Sequence, residues 1–291
     1  MNPPDLRALV DVEMPDIRQR YGPKDCILYA LGLGFGNQPD DASSLRYVYE
    51  QDLIALPTQL AVLASSSDWM RDPRTGIRWE HLVALSHDLS LPKPLATSGH
   101  VRARTAVEAV YDRGPGRGAI IAWRRVVTDD DTGEEIGIVR GQALARANGG
   151  FGGEPAPRRP HPGFPARAPD HVAAWPTQPN QALLYRLCGD TNPLHADPDV
   201  ARAAGLDAPI LHGLCNLGIA ASAAGPLAPG GLTALGEIGA RYAGVFYPGD
   251  TLRTEAWREA GVILFRSTSV RTGQCIIDDG AARLADGLAT C

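Results

Sequence analysis

The chain has 291 residues, 44% of them hydrophobic and 21% charged, with 33 acidic and 28 basic side chains and a formal charge of −5. That is the composition of an ordinary globular protein, long enough for one large domain or two of about 120–150 residues. The acidic balance excludes an electrostatic footprint for nucleic acid.

In chain order, the first predicted element is a short helix over 24–34 that ends at glycine. Residues 58–80 contain Ser65-Ser66-Ser67, Pro73 and Gly76, which interrupt any long helix. Strand-like runs follow at about 100–112, 118–128 and 134–146, with Arg113-Gly114 marking a turn. Residues 148–179 hold the Gly-rich stretch 149–153 and eight prolines, from Pro155 to Pro179. Such a segment sustains neither helix nor central strand, so it reads as a linker.

The pattern then repeats. Residues 180–190 form a second short helix, with Leu184-Tyr185 matching Leu28-Tyr29. Helix 213–224 is apolar nearly all round and should be buried, wrapped by a curved sheet. Strands are expected at about 235–246, 251–259, 262–271 and 274–284. Helices preceding antiparallel strands, twice over, imply an α+β fold built from a duplicated unit. The divisions are 1–147, the linker 148–179, and 180–291.

Five cysteines, Cys26, Cys188, Cys215, Cys275 and Cys291, are an odd number without a C-x-x-C pair. They fit reduced cytosolic thiols. The stretch from Met1 to Leu9 has no apolar core behind a basic patch, so no signal peptide is expected. The charge-free run 208–236 is broken by Gly225, Pro226, Pro229, Gly230 and Gly231, which argues against a membrane span. The end, Ala289-Thr290-Cys291, is not a peroxisomal address. A cytoplasmic chain is expected.

The chemistry concentrates in Gly189-Asp190-Thr191-Asn192-Pro193-Leu194-His195-Ala196-Asp197. Gly189 can cap the preceding helix, Pro193 stiffens the loop, and Asp197-Pro198 starts a new helix. A loop clamped at both ends holds a carboxylate and an imidazole at fixed separation, as general acid–base chemistry requires. Read alone, Asp190 could be a turn residue and His195 a surface histidine. A cation site of Asp190, Asn192, His195 and Asp197 has the wrong spacing for a calcium loop and too few His or Cys for a transition metal.

The full string from Leu184 to Asp197 resembles the hydratase 2 motif of the MaoC-like (R)-specific enoyl-CoA hydratases. Ala208-Pro209-Ile210-Leu211-His212-Gly213-Leu214-Cys215 resembles that family's second signature, and Ala240-Arg241-Tyr242 through Pro248-Gly249 its third. Tyr49-Glu50, Leu56-Pro57-Thr58, Lys93-Pro94-Leu95, Tyr111-Asp112-Arg113-Gly114 and the 149–153 glycines occur in the family's order.

The resemblance implies a double hotdog, in which each half is a helix wrapped by an antiparallel sheet and the active site lies between the halves. It implies reversible hydration of a trans-2-enoyl-CoA to a (3R)-3-hydroxyacyl-CoA without metal or redox cofactor, by a homodimer with an acyl-CoA substrate. It casts Asp190 and His195 as the acid–base pair around one water, Asn192 as orienting the water or the loop, and the Gly213 N–H as a donor to the thioester oxygen. Glu50 matches a glutamate that supports activity. Arg113, Arg241 and Tyr242 fall where the family contacts CoA. The family's His-Gly-Glu-Gln is replaced here within Val83-Ala84-Leu85-Ser86-His87-Asp88. Gly34-Phe35-Gly36-Asn37 carries no counterpart of Asp190, so the first half should not be catalytic. The rivals are a hotdog acyl-CoA thioesterase and a non-catalytic acyl-CoA-binding protein.

Overall fold

A computed structural model describes residues 5–285. The two ends, with Cys291 and the features expected of the termini, lie outside the described residues. Ten strands join in one antiparallel sheet. β1 (Ile17–Tyr21), β2 (Leu82–Ser90), β3 (Gly99–Asp112), β4 (Ala119–Asp129) and β5 (Glu135–Ala145) come from the first half. β6 (His171–Pro176), β7 (Leu235–Tyr242), β8 (Thr251–Glu259), β9 (Val262–Ser269) and β10 (Cys275–Leu284) come from the second.

From the middle outward the order is β2-β5-β4-β3-β1 on one side and β7-β10-β9-β8-β6 on the other. Each half therefore repeats one plan about the β2–β7 seam, where Ser86 pairs with Arg241 and Ser90 with Glu237. This symmetry explains strands that the sequence pattern did not reveal. β6 lies inside the segment expected to be a linker, which is a correction to that expectation. It is tolerated there because it occupies the sheet edge, pairs only with β8, and ends at Pro176. β6 stands to the second half as β1 stands to the first.

The helices are α1 (Pro23–Leu33), α2 (Leu45–Val48), α3 (Asp68–Arg71), α4 (Gln181–Tyr185), α5 (Pro198–Ala203) and α6 (Gly213–Ala224). α1 starts with Pro23 at its first turn and ends at Gly34, whose φ of 95° glycine adopts without cost. The second predicted helix is shorter than expected: α4 gives way to a 3₁₀ turn over Arg186–Cys188.

α6 is the hydrophobic axis. Leu217, Ile219, Ala220 and Ala221 are buried in it, against the inner face of the second half-sheet. In the first half the buried segment in the equivalent place is a 3₁₀ turn, Pro57–Ala61, which lies between the short helices α2 and α3. Its surroundings, residues 55–64, are buried throughout. The fold is a double hotdog in which one central helix is complete and the other is reduced to a turn.

Side chains of the second half satisfy the carbonyls that α1 leaves open at its C-terminus. Trp175 Nε1 donates to Leu33 O at 2.9 Å, and Gln181 Nε2 donates to Gly32 O at 2.7 Å. The paired tyrosines of the repeat, Tyr29 and Tyr185, meet in the core with ring centroids 5.8 Å apart. Among the described residues no helix is long and apolar enough to cross a membrane, and Cys26, Cys188, Cys215 and Cys275 are free thiols.

Candidate active site

The loop after α4 is held by its own polar groups. Gly189 sits at φ 135°, a conformation that favours glycine. Asp190 Oδ1 accepts the Asn192 N–H at 3.2 Å, and Asn192 Oδ1 accepts the Leu194 N–H at 3.2 Å. A 3₁₀ turn over Pro193–His195 follows. Asp197 then caps α5 by accepting the Asp199 N–H at 2.8 Å. Asn192 is thus spent on shaping the loop.

His195 is buried, and its Nδ1 lies 2.8 Å from the Ile210 carbonyl. A carbonyl only accepts, so Nδ1 carries the proton and Nε2 keeps a free lone pair. Burial holds the imidazole pKa below its ordinary value, against the opposing pull of the Asp190 charge. The ring is therefore neutral and basic at Nε2.

His212, which sequence reasoning passed over as part of a signature, stacks on His195 with centroids 3.7 Å apart and planes inclined by 26°. Its Nε2 donates to the Asp190 carbonyl at 3.2 Å. It is fully buried, and burial, aided by His195, pushes its pKa down to about 3. His212 ties the catalytic loop to the start of α6. Gly213 follows as the first residue of that helix, and its N–H finds no acceptor among the described residues. The helix N-terminus aims this free donor with the favourable end of its dipole.

Asp190, His195 and His212 each offer one ligand atom within 4.8 Å of the others, the one such set among the described residues. The two imidazoles are stacked nearly parallel, however, whereas ligands on one small cation converge upon it. The cluster suits proton transfer better than metal binding. His195 opens on a cleft of about 580 Å³ lined also by Ala182, Leu183, Pro209, Tyr247 and Arg271, a volume suited to a small-molecule site.

Residues 20–147 match the family model described as the MFE-2 hydratase 2 N-terminal domain, and residues 162–279 match the MaoC-like domain. An enoyl-CoA hydratase of Mycobacterium tuberculosis, ChsH3, is 37% identical over 262 residues, covering 88% of this chain and 90% of its own. The chain belongs to the MaoC-like hydratase 2 family. A MaoC-like dehydratase from Phytophthora capsici superposes with a TM-score of 0.80 at 26% identity, over 95% of this chain and 97% of its own. A second M. tuberculosis protein, described as a double hotdog, shares the fold at a TM-score of 0.56 and 16% identity, over 94% of each chain.

In this hydratase 2 family member, none of Arg113, Arg241 and Tyr242 lines the His195 cleft. Arg113 is exposed at the β3–β4 turn, and β3 is separated from β2 by β4 and β5. Arg241 is paired with Asp278 and, at 3.0 Å, with Asp279. Neighbours on β7 face opposite sides of the sheet, so Arg241 and Tyr242 point apart. Tyr242 faces inward, its hydroxyl 2.8 Å from His87 Nδ1 and its ring against Gly213. Glu50 is exposed beyond α2, with no hydrogen bond or ion pair among the described residues. The basic side chain lining the His195 cleft is Arg271, at the β9–β10 turn, with its guanidinium 5.7 Å from the Tyr247 ring centroid. A lone arginine at a turn carries no signal in sequence. The cleft alone singles it out.

Proposed function

We propose that this hydro-lyase adds water reversibly to a trans-2-enoyl-CoA, giving a (3R)-3-hydroxyacyl-CoA, with Asp190 and His195 as the acid–base pair. The observation that carries this reading is a neutral His195 whose Nε2 lone pair is free, held beside Asp190 and next to the unpaired Gly213 N–H. Hydration needs those three things. Water bonds to C3 through its oxygen, one of its hydrogens passes to the pair, and one hydrogen is delivered to C2. Negative charge develops meanwhile on the thioester oxygen, where a fixed N–H donor is most effective. Asn192 keeps the loop in shape. The (3R) outcome follows the family resemblance.

Arg271 is suited to a phosphate of the CoA, because its planar fork of donors stands at the cleft mouth. The acyl chain needs room, and the reduced central helix of the first half supports acceptance of medium or long chains. The experiment is a series of trans-2-enoyl-CoA substrates from four carbons upward. We expect the conjugated-enoyl absorbance to fall, no CoA thiol to appear, and chains beyond crotonyl to be turned over. Thiol release would instead favour a thioesterase, and neither signal a binding protein.

A further inference from the structure

We propose that His87, from the non-catalytic half, is a positioning residue. Through the Tyr242 hydroxyl it fixes the ring on which Gly213 rests, and so the direction of the Gly213 N–H. This rests on the hydratase reading above. His87 and Tyr242 lie on β2 and β7, the two strands of the seam, and their side chains meet at 2.8 Å on its inner side. His87 Nδ1 is the one hydrogen-bond partner of the Tyr242 hydroxyl among the described residues.

Both members hold still. The His87 ring meets Trp123 edge-on, with centroids 5.5 Å apart. Trp123 in turn lies flat on Gly141, where a Cβ would come within 2.2 Å of the indole. At the other end, a Cβ on Gly213 would meet Tyr242 Cζ at 3.1 Å and its neighbouring ring carbons at 3.2 and 3.3 Å. The tyrosine ring is therefore the floor beneath the first residue of α6. A continuous line of packed groups, Gly141–Trp123–His87–Tyr242–Gly213, runs from the first half to the proposed oxyanion donor. The bond persists over the working pH range. Burial and the nearby Arg125 push His87 down to about 3, while burial raises Tyr242 well above the usual tyrosine value. The charged groups acting on the pair are Arg125, Asp190, Asp88 and Arg159.

The sequence places His87 in the stretch that departs from the family's His-Gly-Glu-Gln. A first half without acid–base groups would thus still determine the rate.

The test compares Tyr242→Phe, His87→Leu, the double variant and His87→Gln on an enoyl-CoA that the wild type hydrates. Tyr242→Phe keeps the ring and removes the hydroxyl. His87→Leu keeps bulk and removes the partner, and His87→Gln restores a partner. A misdirected donor should lower kcat about tenfold in each single variant, with KM within about twofold. The double variant should be no worse than the worse single, and His87→Gln should recover most of kcat. A merely structural bond would lower the melting temperature and leave kcat of the folded enzyme unchanged. That result, additive losses, or a change confined to KM would overturn the proposal. If His87→Leu fails to fold, Tyr242→Phe decides. An inactive wild type would sink the hydratase reading and this proposal with it. An active wild type with unaltered variants would sink this proposal alone.

Discussion

In the first half α1 ends at Gly34, with φ 95°, and the chain runs on through Phe35-Gly36-Asn37. In the second half α4 and its 3₁₀ turn end at Gly189, with φ 135°, and the chain runs on through Asp190-Thr191-Asn192 to His195. The two turns occupy matching places in a duplicated sheet. One continues into aromatic packing, Phe35 resting against Tyr47 and Trp175, and the other into titratable groups.

The second difference runs the opposite way. The half with Asp190 and His195 keeps its full central helix, which supplies the Gly213 N–H and a base for His212. The other half has only Pro57–Ala61 in that place. In the proposed reading the halves divide the work: the second holds the reaction centre, and the first, with its central helix reduced, makes room for substrate.

The strongest way to break this comparison is to remove the groups that one half has and the other lacks. Asp190→Asn and His195→Gln should each lower kcat by about 10²–10⁴-fold, with folding nearly intact. The double variant should be only slightly worse than the worse single, because both act on one water. Asn37→Ala, at the matching turn of the first half, should leave kcat within about twofold of wild type. Single variants of Asp190 or His195 that keep more than about a tenth of wild-type kcat would contradict the assignment.

A smaller effect is expected at the cleft mouth. Arg271→Gln should raise KM for CoA thioesters by about tenfold, of the order of one charge-assisted hydrogen bond. It should leave the same acyl group on N-acetylcysteamine, which has no phosphate, unaffected. Equal effects on both substrates would place the CoA phosphates elsewhere.

The smallest effect concerns pH. His87 and His212 are pushed down to about 3 by burial, against about 6.5 when unfolded. Between those values the unfolded chain binds protons that the folded chain does not. Stability is therefore full above about pH 6.5 and declines as pH falls towards 3. Thermal melts between about pH 7 and pH 4 should show a shallower decline for His87→Gln than for wild type. Parallel curves would contradict the buried neutral state of His87. His195 is also held below its ordinary value, so the acid limb of kcat/KM should fall below pH about 6.5.

How far the sequence carried this account depends on the kind of signal. The duplication was legible because Leu28-Tyr29 and Leu184-Tyr185 repeat within helices that end at glycine. α6 was legible because a charge-free helix has to be buried, and it spans the expected residues. The clamped loop 189–197 was legible because its clamps, Gly189, Pro193 and Asp197, are local. β2 was missed because Ser86, His87 and Asp88 interrupt its apolar alternation, and β6 because prolines surround it. The surroundings of Arg241 were not legible for a different reason. Which face of β7 each side chain takes is set by strand pairing, and the acidic partners of Arg241, Asp278 and Asp279, come from a strand that is distant in sequence. The stacking of His212 on His195 likewise depends on α6 meeting the loop, which no spacing encodes.

If one half reacts and the other accommodates, each chain holds one site. Calorimetric titration with a tight, non-reacting enoyl-CoA analogue tests it most directly. The account predicts one analogue bound per chain, with binding retained in Asp190→Asn. Two analogues per chain would mean that the turn after Gly34 also forms a site, and would contradict the division between the halves.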